Sequence, residues 1–225
     1  MTGTFLDNIP RVTRTLLIVN VMVFLGFLLN RESMTAAFAL FYPTSPYFHW
    51  YQVITHMFMH GGFWHIFFNM YTLFIFGSVI ERTIGEKNFL ILYFACGLGA
   101  VALHLGVQWL QVQHYMAQIA QGSQSAMQAY AQLKVTPTVG ASGAIYGLLI
   151  AYAMLFPQAR LTLIFPPVTL SAKAWVITFA VIELFTGVTG MAAGVAHFAH
   201  LGGMLIGFLL IWWWRKQGTL FNRYW

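Results

Sequence analysis

The chain has 225 residues, 59% of them apolar and 7% charged, with a formal net charge of +6. A soluble domain carries ~25% charged residues, so this chain lacks the polar surface to face water on every side. That composition excludes a soluble globule, a coiled coil and a disordered chain, and it identifies an integral membrane protein. A disulfide scaffold is excluded as well, because Cys96 is the single cysteine; its apolar neighbours mark it as a helix-packing residue. No signal peptide is expected, since the first ten residues lack a positive n-region and no small-residue cleavage site follows the first apolar run.

A bilayer-spanning helix needs ~20 mostly apolar residues. Six such stretches follow in order, at about 15–30, 63–80, 89–109, 141–156, 174–189 and 195–214. The second is preceded by a histidine-rich approach from His56 to Gly62, and the short fourth is closed by Pro157. The expectation is one membrane domain over residues 1–225, an all-α bundle of six transmembrane helices.

Basic residues orient the bundle. Arg11, Arg14, Arg82, Lys87, Arg160, Lys173, Arg215, Lys216 and Arg223 fall on one side, and Arg31 and Lys134 on the other. Nine against two is a strong positive-inside bias, which puts both termini in the cytoplasm. In a membrane protein the excess of positive charge is read as this bias, and no nucleic-acid partner is expected.

Two outward connections are unusual. Residues 31–52 carry Phe38, Phe41, Tyr42, Tyr47, Phe48, Trp50 and Tyr51, so this segment is expected to lie in the bilayer interface. Residues 108–138 hold eight glutamines and one formal charge. Their Ala, Gln and Met content favours helix, but the reading adopted for this stretch is a polar external linker.

Polar side chains within a bilayer are costly and mark function by default. Here they gather near the outer ends of three spans: His56, His60, His65 and Asn69 at the second, Gly140-Ala141-Ser142-Gly143 at the fourth, and His197 and His200 at the sixth. Small residues indicate which helices touch. Gly143 and Gly147 make one G-x-x-x-G, and Gly203 and Gly207 another, each clearing a helix face for close approach. If these stripes face each other, the Ser142 hydroxyl meets the His200 imidazole, the pairing that a nucleophilic serine requires. Each motif alone is as readily explained by helix packing; jointly, at one depth, they point to catalysis.

The ordered set resembles the rhomboid intramembrane serine proteases over nearly the whole chain. It contains H-x-x-x-N from His65 to Asn69, G-x-S-G from Gly140 to Gly143, and A-H-x-G-G-x-x-x-G from Ala199 to Gly207. The resemblance implies that Ser142 is the nucleophile and His200 the general base, as a dyad without a carboxylate. His65, Asn69 and the backbone N–H of Ser142 would form the oxyanion hole, and Tyr146 would pack against the catalytic histidine. Gly143, Gly147, Gly203 and Gly207 would support the arrangement. His197 lacks the following glycine pattern and is not taken as the base. No metal and no organic cofactor is implied. The implied substrates are transmembrane proteins cleaved near the outer face of the cell membrane, by a compact prokaryotic form with no seventh helix. One departure is in the first outer loop, where members often carry Trp-Arg or Trp-Gln; here the residues are Tyr51-Gln52, with Trp50 one place earlier.

Three other readings fit less well. A histidine-box membrane metalloenzyme is suggested by His56 and His60, but no further box exists, and Glu183 stands alone as the one acid well inside a predicted span. A catalytically inactive rhomboid-like binder of transmembrane clients would be marked by loss of the serine or histidine, and both are present. A transporter would carry polar groups across the membrane, whereas these cluster at one depth.

Overall fold

The computed structural model describes residues 8–162, 167–190 and 197–220. In chain order the helices are α1 (Arg11–Leu29), α2 (Arg31–Phe38), α3 (Gln52–Thr55), α4 (Phe63–Thr72), α5 (Ser78–Ile84), α6 (Glu86–Ile119), α7 (Gln124–Val135), α8 (Ser142–Leu155), α9 (Ala172–Thr189) and α10 (His197–Lys216). A 3-10 turn at His56–Phe58 extends α3, and a π-helical turn at Leu73–Gly77 joins α4 and α5 into one apolar rod, Phe63–Ile84. Strands β1 (Arg160–Thr162) and β2 (Thr169–Ser171) form a small antiparallel hairpin between α8 and α9.

Among the described residues, five helices are long and apolar enough to cross a membrane: α1, the α4–α5 rod, α6, α9 and α10. Their outward faces expose large apolar side chains, including Met22, Leu29, Phe63, Trp64, Val181 and Val188. Surface of that kind is stable against lipid and unstable against water. The protein is a multi-pass membrane bundle.

The stretch read as the fourth span differs from the others. α8 has 14 residues, about 21 Å at 1.5 Å per residue, and the hydrocarbon core is ~30 Å thick. It is short because it is central: α6 and α10 pack along it, and half its residues, from Gly143 to Ala153, are buried. A helix enclosed by protein need not match the bilayer.

The helix that holds the third apolar stretch runs on into the glutamine-rich one. α6 does not stop near Trp109 but continues to Ile119, and α7 follows after a turn in which the Ser123 hydroxyl accepts from Ala126 N–H. Hydropathy falls where the glutamines begin, but Ala, Gln and Met keep the backbone helical. Most of the expected linker is therefore helix. The first residues of the predicted sixth span, 195 and 196, and Arg223 lie outside the described residues.

Helix ends are tied by side chains from neighbouring elements. The first N–H groups of any α-helix lack intrahelical acceptors. In α1 the buried Glu81 of α5 serves those of Val12 and Thr13, at 2.9 and 2.7 Å, and also takes the Thr13 hydroxyl at 2.7 Å. A carboxylate at a helix N-terminus gains up to ~2 kcal/mol from the helix dipole when partly buried. At the opposite end of α8, the Arg215 guanidinium donates to the Met154 carbonyl. The aromatic first loop is fastened by Gln52. This fully buried side chain donates to the carbonyls of Ala36 and Tyr47 at 3.1 and 2.9 Å and accepts from His49 N–H at 3.1 Å. Gln52 therefore anchors the loop with Tyr51 before it.

Candidate active site

Ser142 is the first residue of α8, so its N–H is one of the helix's unpaired donors. The chain enters the helix through Gly140, whose φ of +132° is open only to glycine. A Cβ there would also meet His65 Nε2 at 2.8 Å and Ser142 Oγ at 3.6 Å. His65 and Ser142 thus flank the same glycine. Three further bonds hold the entry loop: Gly140 N–H donates to the His56 carbonyl at 3.0 Å, and Leu40 and Thr138 exchange both backbone bonds. A small cavity beside Ser142, large enough for a water molecule, is lined by Leu40, His56, His104, Thr138 and Gly140 among others.

Close helix contact brings the histidine to the serine. A Cβ on Gly203 would collide with the Gly143 carbonyl, and one on Gly207 would lie 2.5 Å from the Gly147 carbonyl. The two stripes are in contact, backbone to backbone. One turn from this contact, His200 Nε2 lies 2.8 Å from Ser142 Oγ. The imidazole is 8% exposed and stacks on the Tyr146 ring, centroids 4.2 Å apart and planes 4° apart. Cys96 is buried against Gly147, as expected of a packing residue.

His65 meets the Gly61 N–H through Nδ1, at 3.4 Å. An Nδ1 that accepts leaves the neutral ring's proton on Nε2, the nitrogen that faces Gly140. Asn69 donates one amide hydrogen to the His65 carbonyl at 2.8 Å and keeps a second free to donate. Its carboxamide is turned along its own helix, so its tie to the site is looser than that of His65.

The expectation that Glu183 stands alone is corrected. Its Oε1 accepts the Tyr146 hydroxyl at 2.6 Å and lies 2.9 Å from His200 Nδ1, off the ideal hydrogen-bond line. Its Oε2 lies 2.6 Å from His197 Nδ1, which is also 3.1 Å from the Thr186 hydroxyl. A carboxylate therefore does adjoin the Ser142–His200 pair. The signal was an acid in an apolar helix; what one sequence does not give is the face of α9 that turns toward α10. Among the described residues, no group of three or more His, Cys, Asp and Glu side chains is arranged to hold a metal ion.

The sequence matches the Rhomboid domain family over residues 47–217, which takes in Ser142, His200, His65, Asn69, Tyr146 and Glu183. The chain belongs to the rhomboid family. This rhomboid is 33% identical over 168 residues to "Rhomboid protein 1, mitochondrial" of Saccharomyces cerevisiae, covering 72% of the chain and 41% of the relative. It is 28% identical over 207 residues to "Rhomboid protease AarA" of Providencia stuartii, covering 88% and 70%. Against the human "Presenilin-associated rhomboid-like protein, mitochondrial" it is 31% identical over 153 residues, covering 67% of the chain and 34% of the relative. The match thus spans well under half the length of the yeast and human relatives.

Proposed function

We propose that this rhomboid is an intramembrane serine endopeptidase that cleaves transmembrane proteins near the outer membrane face. The observation that carries the reading is the 2.8 Å approach of His200 Nε2 to Ser142 Oγ at the start of a buried helix. In the proposed reaction Ser142 Oγ attacks the scissile carbonyl carbon while His200 Nε2 takes the hydroxyl proton. The carbonyl oxygen becomes an oxyanion held by Ser142 N–H, His65 Nε2–H and Asn69. Removal of one such donor from a comparable site costs roughly 3–4 kcal/mol. His200 then gives the proton to the departing amine, and a water molecule repeats the cycle on the acyl-enzyme. The cavity beside Ser142 offers that water an approach.

A helical substrate amide is already hydrogen-bonded and sterically closed, so the substrate must unwind at the cut. Helix-breaking residues near the top of its membrane segment favour this. The reading takes α8 as a sixth membrane helix, residues 1–225 as one domain and both termini as cytoplasmic. The nine-to-two distribution of basic residues supports that orientation. It also assigns the protein to the cell membrane; the word mitochondrial belongs to the names of the yeast and human relatives.

The test is labelling with a fluorophosphonate serine probe in lipid, beside cleavage of a transmembrane reporter. Wild type is expected to label and cleave, and Ser142→Ala to do neither. A folded wild type that binds the reporter but neither labels nor cleaves it is a non-catalytic binder, and the reading fails.

A further inference from the structure

We propose that Glu183 is a positioning residue that fixes the tautomer of His200, so that the working unit is Ser142, His200 and Glu183. This rests on the serine-protease reading above.

An ionised carboxyl group inside a membrane helix is expensive. Glu183 is 6% exposed, and its neighbours on α9, Ile182, Leu184 and Phe185, present apolar surface outward. The cost is offset by placement: both carboxylate oxygens face donors on α8 and α10, with Tyr146 and His200 at Oε1 and His197 at Oε2.

The consequence for His200 follows from proton bookkeeping. A carboxylate only accepts, so a nitrogen facing it keeps its proton. His200 Nδ1 faces Oε1 at 2.9 Å, and the parallel Tyr146 ring restricts rotation of the imidazole about its stem. Neutral His200 therefore carries its proton on Nδ1 and presents a bare Nε2 to Ser142 Oγ. That is the tautomer able to accept the serine proton. During attack the Oγ–H bond breaks, Oγ bonds to the scissile carbon, and the proton moves to Nε2. The resulting imidazolium keeps its Nδ1–H toward Glu183, which stays anionic throughout. The Nε2 proton then passes to the leaving amine nitrogen, and His200 returns to its starting tautomer.

His197 completes the arrangement by holding the far side of the carboxylate, with Thr186 beside it. Thr186 donates to the Ile182 carbonyl at 2.7 Å and sits 3.1 Å from His197 Nδ1. His197, set aside as a base in the sequence, is read here as a partner of Glu183.

The test compares wild type, Glu183→Gln, Glu183→Asp and Ser142→Ala in lipid, with kcat, KM and thermal midpoint measured for each. Glutamine can turn its NH2 toward His200 Nδ1 and favour the wrong tautomer. The expected result is a kcat lower by roughly 100-fold or more in Glu183→Gln, with KM little changed, and at least tenfold recovery in Glu183→Asp. A Glu183→Gln protein with near-wild-type kcat in its folded fraction, whatever its midpoint, overturns the assignment and leaves the protease reading intact. A wild type that neither labels with fluorophosphonate nor cleaves overturns both. Should the Glu183 variants fail to fold, 15N spectra of the wild-type histidines decide, with the His200 signal identified by its loss in His200→Ala. A protonated Nδ1 at neutral pH supports the proposal; a protonated Nε2 overturns it.

Discussion

The Tyr146 ring lies flat against the imidazole of His200, and the same tyrosine's hydroxyl donates to Glu183 at 2.6 Å. One side chain thus limits the tilt of the histidine and also engages the carboxylate beside it. The two roles separate by substitution. Tyr146→Phe keeps the stack and loses the hydroxyl, whereas Tyr146→Ala loses both. Stacked ring pairs contribute ~0.5–1.5 kcal/mol beyond their buried area. The expected kcat falls a few-fold for phenylalanine and at least about tenfold further for alanine. Equal losses would assign the whole effect to the hydroxyl.

Ser142→Ala and His200→Ala are each expected to abolish proteolysis in a folded protein, and the double variant should be no worse than either alone, because groups acting as a unit are not additive. His197→Ala removes a donor from Oε2 but leaves the Oε1 contact to His200. It should lose several-fold in turnover and keep measurable activity. An inactive, folded His197→Ala beside an active His200→Ala would exchange the two roles.

Gly203→Ala should inactivate without altering any side chain of the proposed catalytic unit. The new methyl would collide with the Gly143 carbonyl, so α10 must back away from α8. A shift of ~1 Å in a reacting group can cost on the order of 100-fold in rate, and overpacking costs ~1–3 kcal/mol of stability. Turnover and thermal midpoint, measured together, should both fall. Near-wild-type turnover would mean the contact is not what holds His200 at Ser142.

Acid should destabilise the fold as pH falls below the ordinary histidine range. Burial pushes the His60 imidazole down to about 3 and His56 to about 4, against ~6.5 in an unfolded chain. His60 is fully buried, and neither ring nitrogen makes a well-formed hydrogen bond. Below about pH 6.5 the unfolded chain takes up protons that the folded one refuses, so stability is complete above that pH and declines as pH falls toward 4. The thermal midpoint of wild type should drop over this window, and His60→Leu should drop less. An identical decline in the variant would remove His60 as a contributor.

Much of the site was legible because its parts are local. Gly143, Gly147, Gly203 and Gly207 repeat at helical spacing, and Ser142 and His200 sit at fixed offsets from them, so once the two stripes face each other hydroxyl and imidazole come to one contact. Glu183 was visible as an anomaly but not as a partner. Its contacts reach Tyr146, 37 residues away, and His197, 14 residues away, and the rotation of α9 about its axis has no local signature. Glu81 was missed for a different reason: it falls just past the apolar run, where it reads as an ordinary charge at a membrane boundary. The length of α6 was missed because hydropathy and helix propensity part company at the glutamines.

The contact at Gly203 also limits how this protein can vary. The atom that bars a side chain there is the Gly143 carbonyl oxygen, which every amino acid carries. No replacement at position 143 can make room, so damage at 203 has no second-site suppressor across that contact. Gly97 is the opposite case. A Cβ at that position meets the Met57 side chain, and a smaller residue at 57 would admit it. Lineages can therefore exchange residues between 57 and 97 through paired changes, while 203 stays closed to every path that keeps α8 and α10 together.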